Sequence, residues 1–247
     1  MRKLPSALIV FAVVAVAAAQ GPEPPLADTR LTVHTLVRED IFAGFLGNDL
    51  NRFARGERNI ELLLEQRPSD KANLLAWRAA AAMYRAVLAH EASKPAEFTD
   101  HFQRATDNFT EAAKLSPGDD GVSAITGGTL VVFADRLPES HRRAAWQQAY
   151  EAYSVLWKQQ APAIDKMPVH FRGEVLAGMA QSAQRTGRTE ESAQYLEKML
   201  TVMQGTPYEA VAKEWKANPA SAATSNLTCK NCHNPGRLSA RLAALSK

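Results

Sequence analysis

The chain has 247 residues, with 29 Lys and Arg against 26 Asp and Glu, enough for one sizeable domain or two small ones. Two of the excess positive charges, Arg2 and Lys3, stand at the very start. The remainder is close to neutral, without the basic excess of a general nucleic-acid binder. The chain has 2 cysteines, and both fall in one five-residue stretch near its end.

Residues 1–19 read as a secretory signal peptide. Arg2 and Lys3 precede an unbroken apolar run from Ala7 to Ala19, and Ala17-Ala18-Ala19 offers the small residues of a cleavage site. Gln20 would begin the mature chain, in a bacterial periplasm. The apolar run is short for crossing about 30 Å of hydrocarbon, so an uncleaved anchor is the poorer reading. No later segment is apolar enough to span. Residues 20–31, with three prolines, read as an extended lead-in.

From Thr32 the apolar spacing is helical. Val33, Leu36, Val37, Ile41, Phe42, Phe45 and Leu46 recur at three- and four-residue steps until Gly47-Asn48-Asp49 interrupts them. A second helix carries Leu50, Phe53, Ile60, Leu63 and Leu64 and ends at Pro68. Ser69-Asp70 opens a long third helix, followed by a polar connector from His90 to Ala96. The fourth carries Phe98, Phe102, Ala105, Phe109, Ala112 and Leu115 and stops at Ser116-Pro117-Gly118. Asp119 and Asp120 can cap the next segment. Its run Thr129 to Ala134 has strand propensity but reads as helix among helical neighbours. Helices over Arg142–Gln160, Val169–Arg185 and Glu190–Met203 follow. In Thr206-Pro207-Tyr208-Glu209, Thr is placed as N-cap, Pro in the first turn and Glu at the third position. The expected fold class is all-α.

Trp77, Ala81 and Tyr84 keep the first-helix spacing of a tetratricopeptide repeat, and Ala105, Phe109, Ala112 and Pro117 keep that of its second helix, across an enlarged loop. Ala180, Gly187, Ser192, Leu196 and Met199 fit the same pattern; Gly56, Ile60, Leu63 and Pro68 fit its second half. Residues 32–204 therefore resemble a stack of degenerate tetratricopeptide hairpins, which implies stacked antiparallel helices and a concave docking surface. An irregular helical bundle shares the same apolar periodicity. Residues 205–217 would add a helix, and 218–226 a small, polar linker.

The linker leads into 227–247, which holds Cys229-Lys230-Asn231-Cys232-His233. That spacing is the covalent haem attachment motif. Each thiol can add across a vinyl group, and His233 can reach the iron as the proximal ligand. A redox dithiol needs a βαβ context that the sequence lacks. A structural zinc site needs a fourth ligand. Over Thr228–Arg237 the chain resembles c-type cytochromes, which implies one covalent haem c. It departs from the small members, which place the motif early and a Met ligand downstream; here fourteen residues follow His233, without Met or His. Pro235 also breaks the long final helix on which the cytochrome c′ family carries its motif. Asn234 and Pro235 would start a short last helix with Leu238, Leu242 and Leu245 on one face.

A sixth ligand would have to come from upstream. His34, His90, His101, His141, His170, Met167, Met179, Met199 and Met203 are candidates, with His170 favoured because it opens the hairpin nearest the motif in sequence. An open sixth position is the alternative. Lys213, Lys216, Lys230, Arg237, Arg241 and Lys247 against Glu214 suggest either a solubilising segment or a basic rim for an acidic redox partner. The expected function is electron transfer through a covalent haem with the helices as docking platform. The alternative is a helical scaffold or haem-based sensor. A peroxidase would need a polar distal site for which no local motif argues.

Overall fold

The segment Val33–Gly47 forms the first helix among the described residues, α1, because its apolar residues share a face and both its ends are capped. The Thr32 hydroxyl accepts the Thr35 N–H at 3.2 Å. Asn48 closes the helix in the left-handed region, φ +52°, which Asn tolerates better than most residues. Asp49 then accepts the Arg52 N–H at 3.0 Å and starts α2 (Leu50–Gln66). The computed structural model describes residues 21–219, 221 and 236–246.

The chain divides into two units, one formed by 21–59 with 236–246 and the other by the described residues from Ile60 onward up to 221. In the first, α1 and the start of α2 approach closely at glycines. A Cβ on Gly44 would lie 2.7 Å from the Phe53 ring, and one on Gly56 would lie 2.9 Å from Ile41 Cδ1. Leu36, Val37, Ile41 and Phe53 are buried there. The last helix, α10 (Arg237–Leu245), belongs to this unit and packs on α1.

The second unit holds the rest of α2, then α3 (Lys71–Glu91), α4 (Pro95–Leu115), α5 (Asp120–Phe133), α6 (Glu139–Gln160), α7 (Val169–Arg185), α8 (Thr189–Val202) and α9 (Pro207–Ala217). Short 3₁₀ turns stand at Pro68–Asp70, Ala134–Arg136 and Ala161–Lys166. Successive helices pack as hairpins: α3 on α4, α5 on α6, α7 on α8. α6 also contacts α7, and α9 contacts α8. The fold is all-α, with no strand among the described residues.

Helix α3 is buried on most of its circumference, because Ala76, Ala79, Ala80, Ala81, Ala82, Ala86 and Ala89 let α4 and α5 approach it. Tyr153 of α6 fills the other notable contact. A Cβ on Gly127 of α5 would lie 2.8 Å from its ring, and one on Gly178 of α7 would overlap it. Gly173 plays the same part for Tyr208 at the start of α9. In the α7–α8 hairpin, Gly187 turns the chain at φ +81°, and the Ser192 hydroxyl donates to the Ala180 carbonyl at 2.8 Å. Small residues thus sit where these two helices meet, as the sequence pattern predicts.

The structure corrects the expected connectors. The polar stretch His90–Ala96 is mostly helix: α3 runs to Glu91, α4 starts at Pro95, and only Ala92–Lys94 join them. The extra length between the two halves of the proposed repeat lengthens the helices to 21 residues each rather than enlarging a loop. Thr129–Phe133 is helical, and Asp119 caps α5 by accepting the Val122 N–H at 2.8 Å. Thr206 is the N-cap residue of α9 but does not cap it through its side chain; its hydroxyl donates back to the Met203 carbonyl, and Glu209 accepts the Gly205 N–H instead.

Candidate functional site

Cys229, Cys232 and His233 lie outside the described residues, as do Asn234 and Pro235. The described chain resumes at Gly236, the third residue after His233, and this junction is held in an unexpected way. The last helix begins at Arg237, and Gly236 is its N-cap residue. At φ +93° it occupies a region that L side chains adopt only with strain. A glycine side chain cannot cap, so the carboxylate of Glu39 on α1 does so. Glu39 Oε1 accepts the Gly236 N–H at 3.2 Å, and Oε2 accepts the Leu238 N–H at 3.0 Å. Two of the helix's unpaired donors are thereby satisfied by a negative charge at the positive end of its dipole.

Glu39 is itself fixed. Arg52 donates to Glu39 Oε1 at 3.1 Å and to Asp40 Oδ1 at 2.9 Å. Arg55 grips Asp40 with two bonds of 2.6 Å each, the fork geometry that makes guanidinium–carboxylate pairs strong. Asp40 is only 2% exposed. Burial pushes the Glu39 carboxyl up, but the amides of Leu238 and Gly236, with Arg52, outweigh it and hold the group below its ordinary range. Leu238, 4% exposed, supplies the apolar contact of the same helix.

His170 is the second residue of α7, with its side chain 32% exposed. Its Nε2 lies 3.7 Å from Glu174 Oε2, and its ring is tilted against the ring of Phe171, itself an exposed apolar side chain. The other ligand candidates are engaged otherwise. His34 bonds Arg38 at 3.1 Å. His141 meets Phe98 and Phe102 edge-on, and His90 lies against Phe98. His101 and Met167 are half-buried. Met179, Met199 and Met203 are buried within the helix packing, the gap-filling use to which a flexible thioether is suited. Among the described residues no group of three His, Cys, Asp or Glu could hold a metal ion.

Of the basic residues expected around the motif, Lys230 and Lys247 lie outside the described residues, and Lys213 and Lys216 have acidic partners. Lys213 pairs with Glu209 at 2.6 Å, and Lys216 pairs with Glu197. Both carboxylates precede the basic stretch that begins at Lys213. Arg237 and Arg241 remain exposed on α10.

Sequence reasoning did not find Glu39. One signal was present: Asp40 interrupts the apolar stripe of Val37, Ile41 and Gly44, and Arg52 and Arg55 are one turn apart on the next helix. That pattern announces a buried ion network. The partner amides, 197 and 199 residues away, carry no local mark.

In comparison with known proteins, no family model, no curated protein and no solved structure matches this chain.

Proposed function

We propose that this is an exported mono-haem c-type cytochrome-like protein that passes electrons through a covalently held haem. The observation that carries the reading is that both cysteines of the chain lie in Cys229-Lys230-Asn231-Cys232-His233, behind a leader with the features of an export signal. The donor set suits the group: two thiols for the vinyl carbons and an imidazole for the iron. When bound, the haem would supply a one-electron couple whose potential depends on its ligands and burial.

In this reading Cys229 and Cys232 hold the group, and His233 supplies the proximal nitrogen. His170 is the proposed sixth ligand; its partial exposure leaves the imidazole accessible, and the apolar side chains of Val169 and Phe171, 43% and 48% exposed, flank it. The second helical unit serves as a docking platform for a redox partner. Arg237 and Arg241 offer positive charge to an acidic surface, whereas Lys213 and Lys216 are already matched by carboxylates.

A haemochrome spectrum of protein matured in a periplasm tests the reading. One covalent haem per chain is expected, lost in Cys229→Ala/Cys232→Ala. Haem staining that survives this double substitution on a denaturing gel, or no haem in the parent protein, would overturn it. In His170→Ala a low-spin six-coordinate spectrum should become high-spin.

A further inference from the structure

We infer that Glu39 is a positioning residue for the attachment segment, holding its C-terminal end against α1. The inference rests on the haem reading of Cys229–His233 and adds to it a residue almost two hundred positions upstream. The argument begins with the length of α10. Nine residues are too few for a stable helix in water, because the first turn fixes several dihedral angles for one hydrogen bond. Such a helix depends on outside contacts, and here these can be named. Leu238 is buried, Glu39 accepts the N–H groups of Gly236 and Leu238, and the Arg30 guanidinium reaches the Leu245 carbonyl at 3.4 Å.

Of these, the Glu39 contact is the one at the end that faces the motif. Three peptide units separate Gly236 from His233, so fixing Gly236 fixes one end of the segment that bears the proximal ligand. The carboxylate cannot easily turn away, because Arg52 holds it and Arg52 is held in turn by Asp40. Asp40 is held by both nitrogens of the Arg55 fork. A charged acceptor fixed in this way is more than a tolerated surface contact, since charge-assisted bonds are about twice as strong as neutral ones. Gly236 at φ +93° completes the device. It lets the chain turn so that its own N–H and that of Leu238 converge on one carboxylate.

The test uses the full chain, exported and matured with haem, as parent, Glu39→Ala and Glu39→Gln. Three quantities are measured: covalent haem per chain, the midpoint potential with the reduced spectrum, and hydrogen exchange at the Gly236 and Leu238 amides. Glu39→Ala is expected to exchange at Leu238 at least tenfold faster, with a shifted potential and an altered axial-ligand band. Glu39→Gln, which keeps one acceptor oxygen, should fall between it and the parent. Should Glu39→Ala fail to accumulate, Glu39→Gln carries the same comparison. A haem-loaded variant with the parent's potential, spectrum and exchange overturns the positioning role and leaves the haem reading standing. A parent without covalent haem overturns the haem reading, and the positioning role with it. In the haem-free Cys229→Ala/Cys232→Ala protein, exchange at Leu238 that does not respond to Glu39→Ala overturns the anchor itself.

Discussion

The ring of Tyr153 occupies the space that a side chain at position 178 would need. Tyr153 on α6 and Gly178 on α7 are both buried, so neither can yield to solvent. Gly178→Ala should therefore strain the core and cost about 1–3 kcal/mol, the usual penalty for overpacking. Gly128 on α5 is the control. A Cβ there meets nothing closer than 3.7 Å, so Gly128→Ala should gain about 0.5–1 kcal/mol from helix propensity. Urea unfolding of both variants checks the contrast in sign.

Asp40 is the centre of the ion network in the first unit. Asp40→Asn removes its charge and leaves Arg52 and Arg55 facing a neutral amide in a buried place. A loss on the order of 3–5 kcal/mol is expected, as for other buried pairs broken on one side. The same substitution should loosen Glu39, so the Leu238 amide should exchange faster than in the parent. Equal stability of parent and variant would show that the network is not closed as described.

Acid should release the anchor. The Glu39 carboxyl is held below its ordinary value in the folded chain, so the folded state binds its proton less readily than the unfolded state. Its stabilising share is complete above the ordinary carboxyl range and is lost as pH falls through the lowered folded value. Protection of the Leu238 amide should hold at pH 6 to 7, begin to weaken below the ordinary Glu value of about 4.3 and be lost as pH falls through the lowered folded value. Glu39→Gln should remove the Glu39 share of this dependence, which two-dimensional NMR at a series of pH values can read.

Gln181 on α7 is fully buried, and neither its amide nitrogen nor its carbonyl oxygen has a hydrogen-bond partner among the described residues. An unpaired buried polar group costs about 1–3 kcal/mol. Gln181→Met is of similar shape and removes the polar atoms. It should raise the unfolding midpoint, which differential scanning calorimetry would show. A drop would mean that an ordered water pairs the amide and belongs to the fold.

The helical architecture was legible because its causes are local. Apolar spacing, Asp119 as a cap and the breaks at Asn48, Pro117 and Gly187 each act within a few residues, and the observed helices begin and end near them. The connector after His90 was misjudged because polar residues on an exposed helix end look like those of a loop; α3 continues to Glu91 because its buried face does. The expected cap at Asn234 and first turn at Pro235 lie outside the described residues, and the described helix starts at Arg237 with a distant carboxylate as its cap, which no local pattern announces. Glu209 and Glu197 were overlooked as partners of Lys213 and Lys216 for a related reason. One lies a helical turn upstream and the other on a different helix, both outside the basic stretch itself. Of the contacts near the motif, the capping of Gly236 and Leu238 by Glu39 was not legible, because it joins residues far apart in the sequence.

The first unit is assembled from residues 21–59 and 236–246, which lie on either side of the second in the sequence. During synthesis the N-terminal hairpin must wait for α10 before its Glu39 carboxylate finds the amides it caps. The cysteines and His233 come through just ahead of that helix. The cysteine motif and the helix that closes the first unit are therefore made one directly after the other.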